Sequence, residues 1–130
     1  MLDLKMLKTS KAFSSFSVDD LVKAKDFYGN TLGLTVTERN GMLELITEGN
    51  SPIMVYPKDN HESATYTVLN FPVENIDEMV DKLTAKGIKF EKYEGELETD
   101  EKGISRNGPG PLIAWFKDPA GNFLSLLQEK

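Results

Sequence analysis

The chain has 130 residues, 39% of them apolar and 28% charged, which is typical of a single globular domain. Twenty-one acidic against fifteen basic residues give a formal charge of −6, so neither nucleic acid nor a membrane surface is an expected partner. The absence of cysteine and the presence of one histidine exclude disulfides, thiolate zinc sites and two-histidine metal sites.

The first eleven residues scatter lysines among single apolar residues, a pattern unlike that of a secretory or transit leader. No apolar run approaches the length of about 20 residues that a membrane helix needs. We therefore expect a cytoplasmic protein.

The first half of the chain predicts the element order β-α-β-β-β. Ala12–Val18 alternates like a strand, Asp19 and Asp20 begin a helix with apolar residues at spacings of three and four, and Gly33 ends it. Asn40-Gly41 is a strong hairpin signal between two strand-like runs. The three strands after the helix are expected at Leu34–Arg39, Met42–Thr47 and Pro52–Tyr56.

After a polar linker at Lys58–Ala64, the second half predicts the same order. We expect strands at Thr65–Val73, Ile88–Glu94, Leu112–Phe116 and Phe123–Gln128, and a helix at Asn75–Lys86. Residues 95–110 are acidic and lack periodicity, which predicts a long, mobile, solvated loop. A lid that closes over a ligand is the alternative for this loop.

An internal repeat relates the two halves. Phe16-x-Val18-x-x-Leu21 matches Phe71-x-Val73-x-x-Ile76 fifty-five residues later. The repeat predicts one α+β domain over residues 1–130, built of two βαβββ modules at about 11–57 and 65–128. Each module would present one face of a curved mixed sheet to a shared cavity.

Five short segments, in three groups along the chain, carry a further resemblance. They are Ser17–Leu21 with Leu32–Leu34, Phe71–Ile76 with Lys86–Ile88, and Phe116–Asn122. In order and spacing they resemble the vicinal oxygen chelate superfamily, which includes glyoxalases, extradiol dioxygenases and the fosfomycin and bleomycin resistance proteins. The resemblance implies a glyoxalase-like fold. Together with the exposed strand edges that such modules leave, it also implies a homodimer.

Metal-dependent members of this superfamily hold a divalent ion with His and Glu side chains from the strands. By position, the ligands fall here on Phe13, Val68 and Ser125, and the fourth belongs on Pro52–Tyr56, which has no acid, amide or histidine. None of these side chains offers an imidazole or carboxylate. The resemblance therefore implies no metal site and no cofactor in this chain.

The expected function is binding of a small, partly apolar organic molecule without a metal ion. The alternative is a divalent-metal-dependent lyase, isomerase or dioxygenase of the same superfamily. A metal-free enzyme that uses Glu44 or His61 as its base, and an interaction module whose cup is filled by its own side chains, are further alternatives.

Strand alternation predicts which residues bind the ligand, because successive side chains point to opposite faces. These residues are Phe13, Ser15, Ser17, Val68, Asn70, Ile113, Trp115, Phe123 and Ser125. Glu44 and His61 are weak candidates for catalysis. For Glu44 we favour a rim or edge position, and for His61 a solvated loop. Trp115 would instead fill the core if its strand were shifted by one residue.

Overall fold

The computed structural model describes residues 5–130, which form two mixed four-stranded sheets with few helices. The fold is α+β, and the sheets do not close into a barrel. Residues 1–4, part of the segment predicted not to be a leader, lie outside the described residues. Within 5–130, no helix has the length and apolarity needed to cross a bilayer.

The first sheet has the strand order β1-β4-β3-β2. Its elements, preceded by the short helix α1 (Lys5–Lys8), are β1 (Ser15–Val18), α2 (Leu21–Asp26), β2 (Thr35–Arg39), β3 (Met42–Ile46) and β4 (Ile53–Pro57). β1 pairs with β4 in parallel, whereas β3 pairs antiparallel with both β2 and β4. Asn40 and Gly41 have φ angles of +52° and +76°, as the predicted tight hairpin requires.

The helix of the first module begins where the sequence predicts. The carboxylate of Asp20 accepts a hydrogen bond from the Lys23 N–H at 3.0 Å, which caps α2. Phe27–Thr31 continues α2 as a π-helical turn. Gly33 then adopts the left-handed conformation, with φ at +76°, that ends the helical segment.

The second sheet has the same topology, with the order β5-β8-β7-β6. Its elements are β5 (Thr67–Pro72), α3 (Ile76–Ala85), a 3-10 turn (Gly95–Leu97), β6 (Ile104–Ser105), β7 (Leu112–Lys117) and β8 (Phe123–Gln128). β5 pairs with β8 in parallel, as β1 does with β4. The repeat in the sequence therefore appears as a repeat of topology.

Two predicted strands are wrong in position. Ile88–Glu94 is not a strand: Ile88 and Phe90 are buried, but the segment contacts β7 through the Glu91 N–H, which donates to the Trp115 carbonyl at 2.8 Å. The strand beside β7 is β6, within the expected loop, where Ile104 lies opposite Ala114. In addition, β1 begins at Ser15, so Phe13 precedes the strand and is 64% exposed.

The expected mobile loop has a defined conformation around one carboxylate. Asp100 Oδ1 accepts hydrogen bonds from the Lys102 and Ile104 N–H groups, both at 2.9 Å. Its other oxygen accepts from Arg106 Nε at 2.9 Å. Farther along, the Lys130 ammonium donates to the Arg106 and Gly108 carbonyls. These bonds hold the residues that flank β6.

The core joins the two modules. Phe16, Leu43 and Leu45 of the first sheet belong to the same buried cluster as Phe116 and Leu124 of the second. Tyr28 is fully buried in this cluster, and its hydroxyl donates to Asp118 Oδ2 at 2.7 Å. A hydrogen bond from the π-helical turn after α2 to the β7–β8 turn thus ties one module to the other.

Candidate functional site

Alternation along the first sheet leaves one face of it open. Phe16, Leu43 and Val55 are buried in the core, so the intervening side chains of the same strands lie on the opposite face. The register places Ser15 beside Met54 and Met54 beside Glu44 across β1, β4 and β3. These neighbours form the floor of a cleft.

This cleft, which we call the first-sheet cleft, encloses about 550 Å³. It is lined by Phe13, Ser15, Arg39, Asn40, Met42, Glu44, Pro52, Met54 and Tyr56. Its walls combine aromatic, methionine and proline surface with a few polar groups. That combination suits a small organic ligand, because apolar walls supply affinity and polar groups fix orientation.

Glu44 is the acidic residue of the cleft floor. Its side chain is only 16% exposed, and β3 is an inner strand, so Glu44 does not lie at an edge of the sheet. The nearest cation is Arg39, whose Nη1 lies 3.8 Å from Glu44 Oε1 and whose own side chain is 70% exposed. The Thr37 hydroxyl donates to the same oxygen at 3.3 Å.

A second cavity lies between the two sheets and encloses about 860 Å³. Three predicted ligand-binding residues, Phe13, Val68 and Asn70, line this inter-sheet cavity. Phe13 is shared with the first-sheet cleft, to which Ser15 also belongs. The structure thus brings four of the nine predicted residues to two neighbouring cavities.

Ser125 supports this cavity from within the sheet. It is fully buried, and its hydroxyl donates to Asn70 Oδ1 at 2.6 Å. Because the bond occupies the amide oxygen, it orients the amide NH₂ of Asn70, which is exposed. Ser125 therefore positions Asn70.

The remaining predicted ligand-binding residues of the second sheet lie away from both cavities. Trp115 lies opposite Ser125 in the β7–β8 ladder, whereas Ala114 and Phe116 are buried in the core, so Trp115 does not fill the core. Its ring meets Tyr93 edge to face at 5.5 Å. Ile113, Trp115 and Phe123 line none of the cavities described above. Lys117 Nζ lies 5.0 Å from the Phe123 ring centroid.

The side chains of His61 and Ser17 are hydrogen-bonded to each other. His61 Nε2 lies 3.0 Å from the Ala120 carbonyl, which can only accept, so the proton is on Nε2. In the neutral ring, Nδ1 then accepts a hydrogen bond from the Ser17 hydroxyl at 2.7 Å. The prediction of a solvated loop histidine is wrong, because His61 is partly buried and ties β1 to the β7–β8 turn.

The donor set does not fit the divalent ion of the metal-dependent relatives. Phe13 and Val68 have no ligating atom, and the Ser125 hydroxyl is buried against Asn70. Met54 and Tyr56 of β4 have neither a carboxylate nor an imidazole to serve as the fourth ligand. Elsewhere in residues 5–130, no three His, Cys, Asp or Glu side chains group as metal ligands.

Several lining residues were missed from the sequence, namely Arg39, Met42, Met54 and Tyr56. The signal was present, since alternation places Met42 and Glu44 on the same face of β3. Extending that rule from β3 to its partner β4 would have added Met54 and Tyr56.

Comparison with known proteins gives the following similarities. The model of the Glyoxalase/Bleomycin resistance protein/Dioxygenase superfamily matches residues 12–126. A superfamily member from Sphaerobacter thermophilus DSM 20745 has 25% identity and a TM-score of 0.72, covering 93% of this chain and 98% of that one. A search of curated protein sequences gave no match.

Two further solved structures share the fold. TnmS3, an antibiotic binding protein from Streptomyces sp. CB03234, has 22% identity and a TM-score of 0.70, covering 94% of this chain and 97% of that one. The fosfomycin resistance protein FosX from Listeria monocytogenes has 16% identity and a TM-score of 0.70, covering 94% of each chain. At these identities the likeness shows the fold alone.

Proposed function

This chain belongs to the glyoxalase/bleomycin resistance protein/dioxygenase superfamily, and we propose that it binds a small, partly apolar organic molecule without a metal ion. The observation that carries the proposal is the first-sheet cleft, open on the face of the sheet opposite the core. Its volume of about 550 Å³ is within the range of small-molecule sites.

The lining of the cleft supports binding of a flat organic group. Phe13 and Tyr56 offer ring surface, and Met42 and Met54 offer flexible thioethers that adapt to an irregular ligand. Ser15 and Glu44 supply polar atoms for orientation. The likeness in fold to an antibiotic binding protein and to a fosfomycin resistance protein agrees with a small organic ligand.

The chemistry of the side chains supports independence from a metal. A divalent ion in this superfamily would need carboxylate and imidazole ligands, and the resemblance puts the ligand positions here at Phe13, Val68 and Ser125. The metal-dependent lyase, isomerase or dioxygenase therefore remains the alternative function, without an observation in its favour.

Three properties of the molecule complete the proposal. We propose one domain of two modules, because Tyr28 of the first bonds Asp118 of the second. We also propose a homodimer in the cytoplasm. The edge strand β2 carries charged Glu38 and Arg39, which discourage pairing with another strand, whereas exposed aromatic residues precede the edge strands β1 and β5.

Calorimetric titration with a set of planar aromatic compounds tests the binding function. We expect saturable binding of some compounds to the wild type, unchanged by EDTA. Ser15→Trp places a large ring on the cleft floor beside Met54 and should abolish that binding. Val22→Trp, on the exposed surface of α2, is the matched control and should leave binding unchanged.

Binding that requires a stoichiometric transition metal would contradict the proposal and favour the metal-dependent alternative. Equal binding by the wild type and the Ser15→Trp variant would place the ligand outside the cleft.

A further inference from the structure

We infer that the first-sheet cleft selects planar organic cations, with the Glu44 carboxylate as the group that recognises the positive charge. The inference rests on the proposed small-molecule function and names its ligand class. It follows from the surroundings of Glu44, the apolar walls and the position of Arg39.

The Glu44 carboxylate is largely buried in the cleft. The side chain of Glu44 is 16% exposed and lies on the cleft floor with Met42 and Met54, so the carboxylate has lost much of its hydration. A carboxylate in apolar surroundings is stable only when hydrogen-bond donors or cations compensate for the lost water.

The Glu44 carboxylate makes only weak interactions with its neighbours in this chain. The Thr37 hydroxyl is neutral, and its 3.3 Å bond to Oε1 is long for an O–H donor. Arg39 lies 3.8 Å away on an exposed side chain, and such ion pairs contribute little. Glu44 Oε2 accepts no hydrogen bond from the described residues. A cationic ligand would supply the strong electrostatic partner that the Glu44 carboxylate lacks.

The other side chains that line the cleft are aromatic or apolar. Phe13 and Tyr56 line the same cleft, and the faces of aromatic rings attract cations. The methionine side chains of Met42 and Met54 complete an apolar floor. A ligand whose positive charge is spread over a flat aromatic system could pair with the Glu44 carboxylate and also pack against the aromatic and methionine side chains.

Arg39 competes with a cationic ligand for the Glu44 carboxylate. Its guanidinium lies at the cleft and is mostly exposed, so it can move into solvent when a ligand cation approaches Glu44. Removing it should strengthen binding of a cation, whereas an anionic ligand would lose affinity.

The test compares berberine, a planar aromatic cation, with dihydroberberine, its neutral reduced analogue. Calorimetry gives both dissociation constants, and the increase in berberine fluorescence in an apolar site gives an independent reading. We expect the wild type to bind berberine about tenfold or more tightly than the neutral compound, since an attraction of about 1.4 kcal/mol suffices.

Three substitutions locate the effect. Glu44→Gln retains the side-chain size and the acceptor for Thr37, and should remove the preference for the cation. Arg39→Gln should tighten berberine binding a few-fold. Glu38→Gln removes one negative charge from β2 at a residue outside the cleft and is the control for net charge. Thermal unfolding of each variant verifies that it is folded.

The outcomes separate the inference from the function on which it rests. If both compounds bind and Glu44→Gln leaves their affinity ratio unchanged, recognition of the cation by Glu44 is wrong while small-molecule binding stands. If Glu38→Gln lowers berberine affinity as much as Glu44→Gln does, general surface charge is responsible and the inference fails. If neither compound binds the wild type, the inference and the proposed function both lose support.

Discussion

At the scale of single residues, Asp118 is the main polar anchor of the molecule. Its buried carboxylate accepts hydrogen bonds from the Tyr28 hydroxyl, the Ala120 and Asn122 N–H groups and the Asn122 side chain. Burial, together with the charge and hydrogen bond of Asp118, raises the pKa of Tyr28 far above its usual range. The phenol therefore stays protonated and remains a donor.

Tyr28→Phe should destabilise the protein by about 2 kcal/mol, because a buried charge loses one of its donors. Denaturation in urea measures this loss. Tyr66→Phe, at an exposed tyrosine without a side-chain hydrogen bond in the described part of the chain, is the control and should change little.

The same substitution should change the dependence of stability on pH. The folded pKa of Tyr28 is raised, so its contribution is present below about pH 10, where the unfolded tyrosine is also protonated, and falls as the pH rises further. Tyr28→Phe should lose less stability above pH 10 than the wild type. Parallel losses in the two proteins would contradict this account of the hydroxyl.

Residue roles were the part of the site that the sequence predicted least well. Glu44 and His61 were identified as candidates, yet their partners lie far away in sequence or on another strand. His61 contacts Ser17 and Ala120, forty-four and fifty-nine residues away. No local pattern encodes such pairs, because they depend on how the loops pack against the sheets.

At the scale of elements, the correct predictions were those with a local physical cause. Asp20 and Asn75 cap the two longer helical segments by accepting N–H bonds three residues on. Asn40-Gly41 forms the predicted hairpin. β6 has only two residues, and its pairing with β7 follows the turn at Asp100, so strand periodicity could not find it.

The turn before β6 can be tested at Asp100. Asp100→Ala removes the acceptor of two N–H groups and of Arg106, and should cost about 1–2 kcal/mol of stability. It should also speed hydrogen exchange at the Ile104 amide. Asp100→Asn retains an oxygen acceptor and should cost less. Glu96→Ala, at an exposed acid in the preceding 3-10 turn, is the control.

The contribution of Asp100 also has a defined pH window. Burial alone would raise its pKa, but the Ile104 and Lys102 N–H groups and Arg106 outweigh burial, so its pKa lies below the usual value. The stabilisation is therefore present above about pH 3.9, the unfolded value, and is lost as the pH falls through the folded pKa. Equal exchange at Ile104 in the wild type and Asp100→Ala would contradict the role of this turn.

At the scale of the whole molecule, the homodimer is the prediction that follows from edge strands and family resemblance. Sedimentation equilibrium at micromolar concentration should give twice the chain mass of 14.5 kDa. A mass near that of one chain would show that the exposed edges and open faces need no second copy.

The arrangement of the two sheets explains why the predicted site was recovered only in part. Alternation correctly separates Phe16 and Leu124 in the core from Ser15 and Trp115 on the other faces. It does not predict how one sheet faces the other, which depends on core contacts such as Phe27 against Phe116. Consequently the nine predicted residues were expected around one cavity, whereas Phe13 borders two and Trp115 borders neither.

The most direct test of the central claim is the NMR spectrum of the protein carrying ¹³C-methyl methionine, titrated with a planar aromatic compound that calorimetry shows to bind. We expect saturable shifts of the Met42 and Met54 methyl signals, with little change at Met79 of α3, which does not line the cleft. Ser15→Trp should abolish the shifts. Binding by calorimetry with unshifted Met42 and Met54 signals would contradict the claim that the first-sheet cleft is the ligand site.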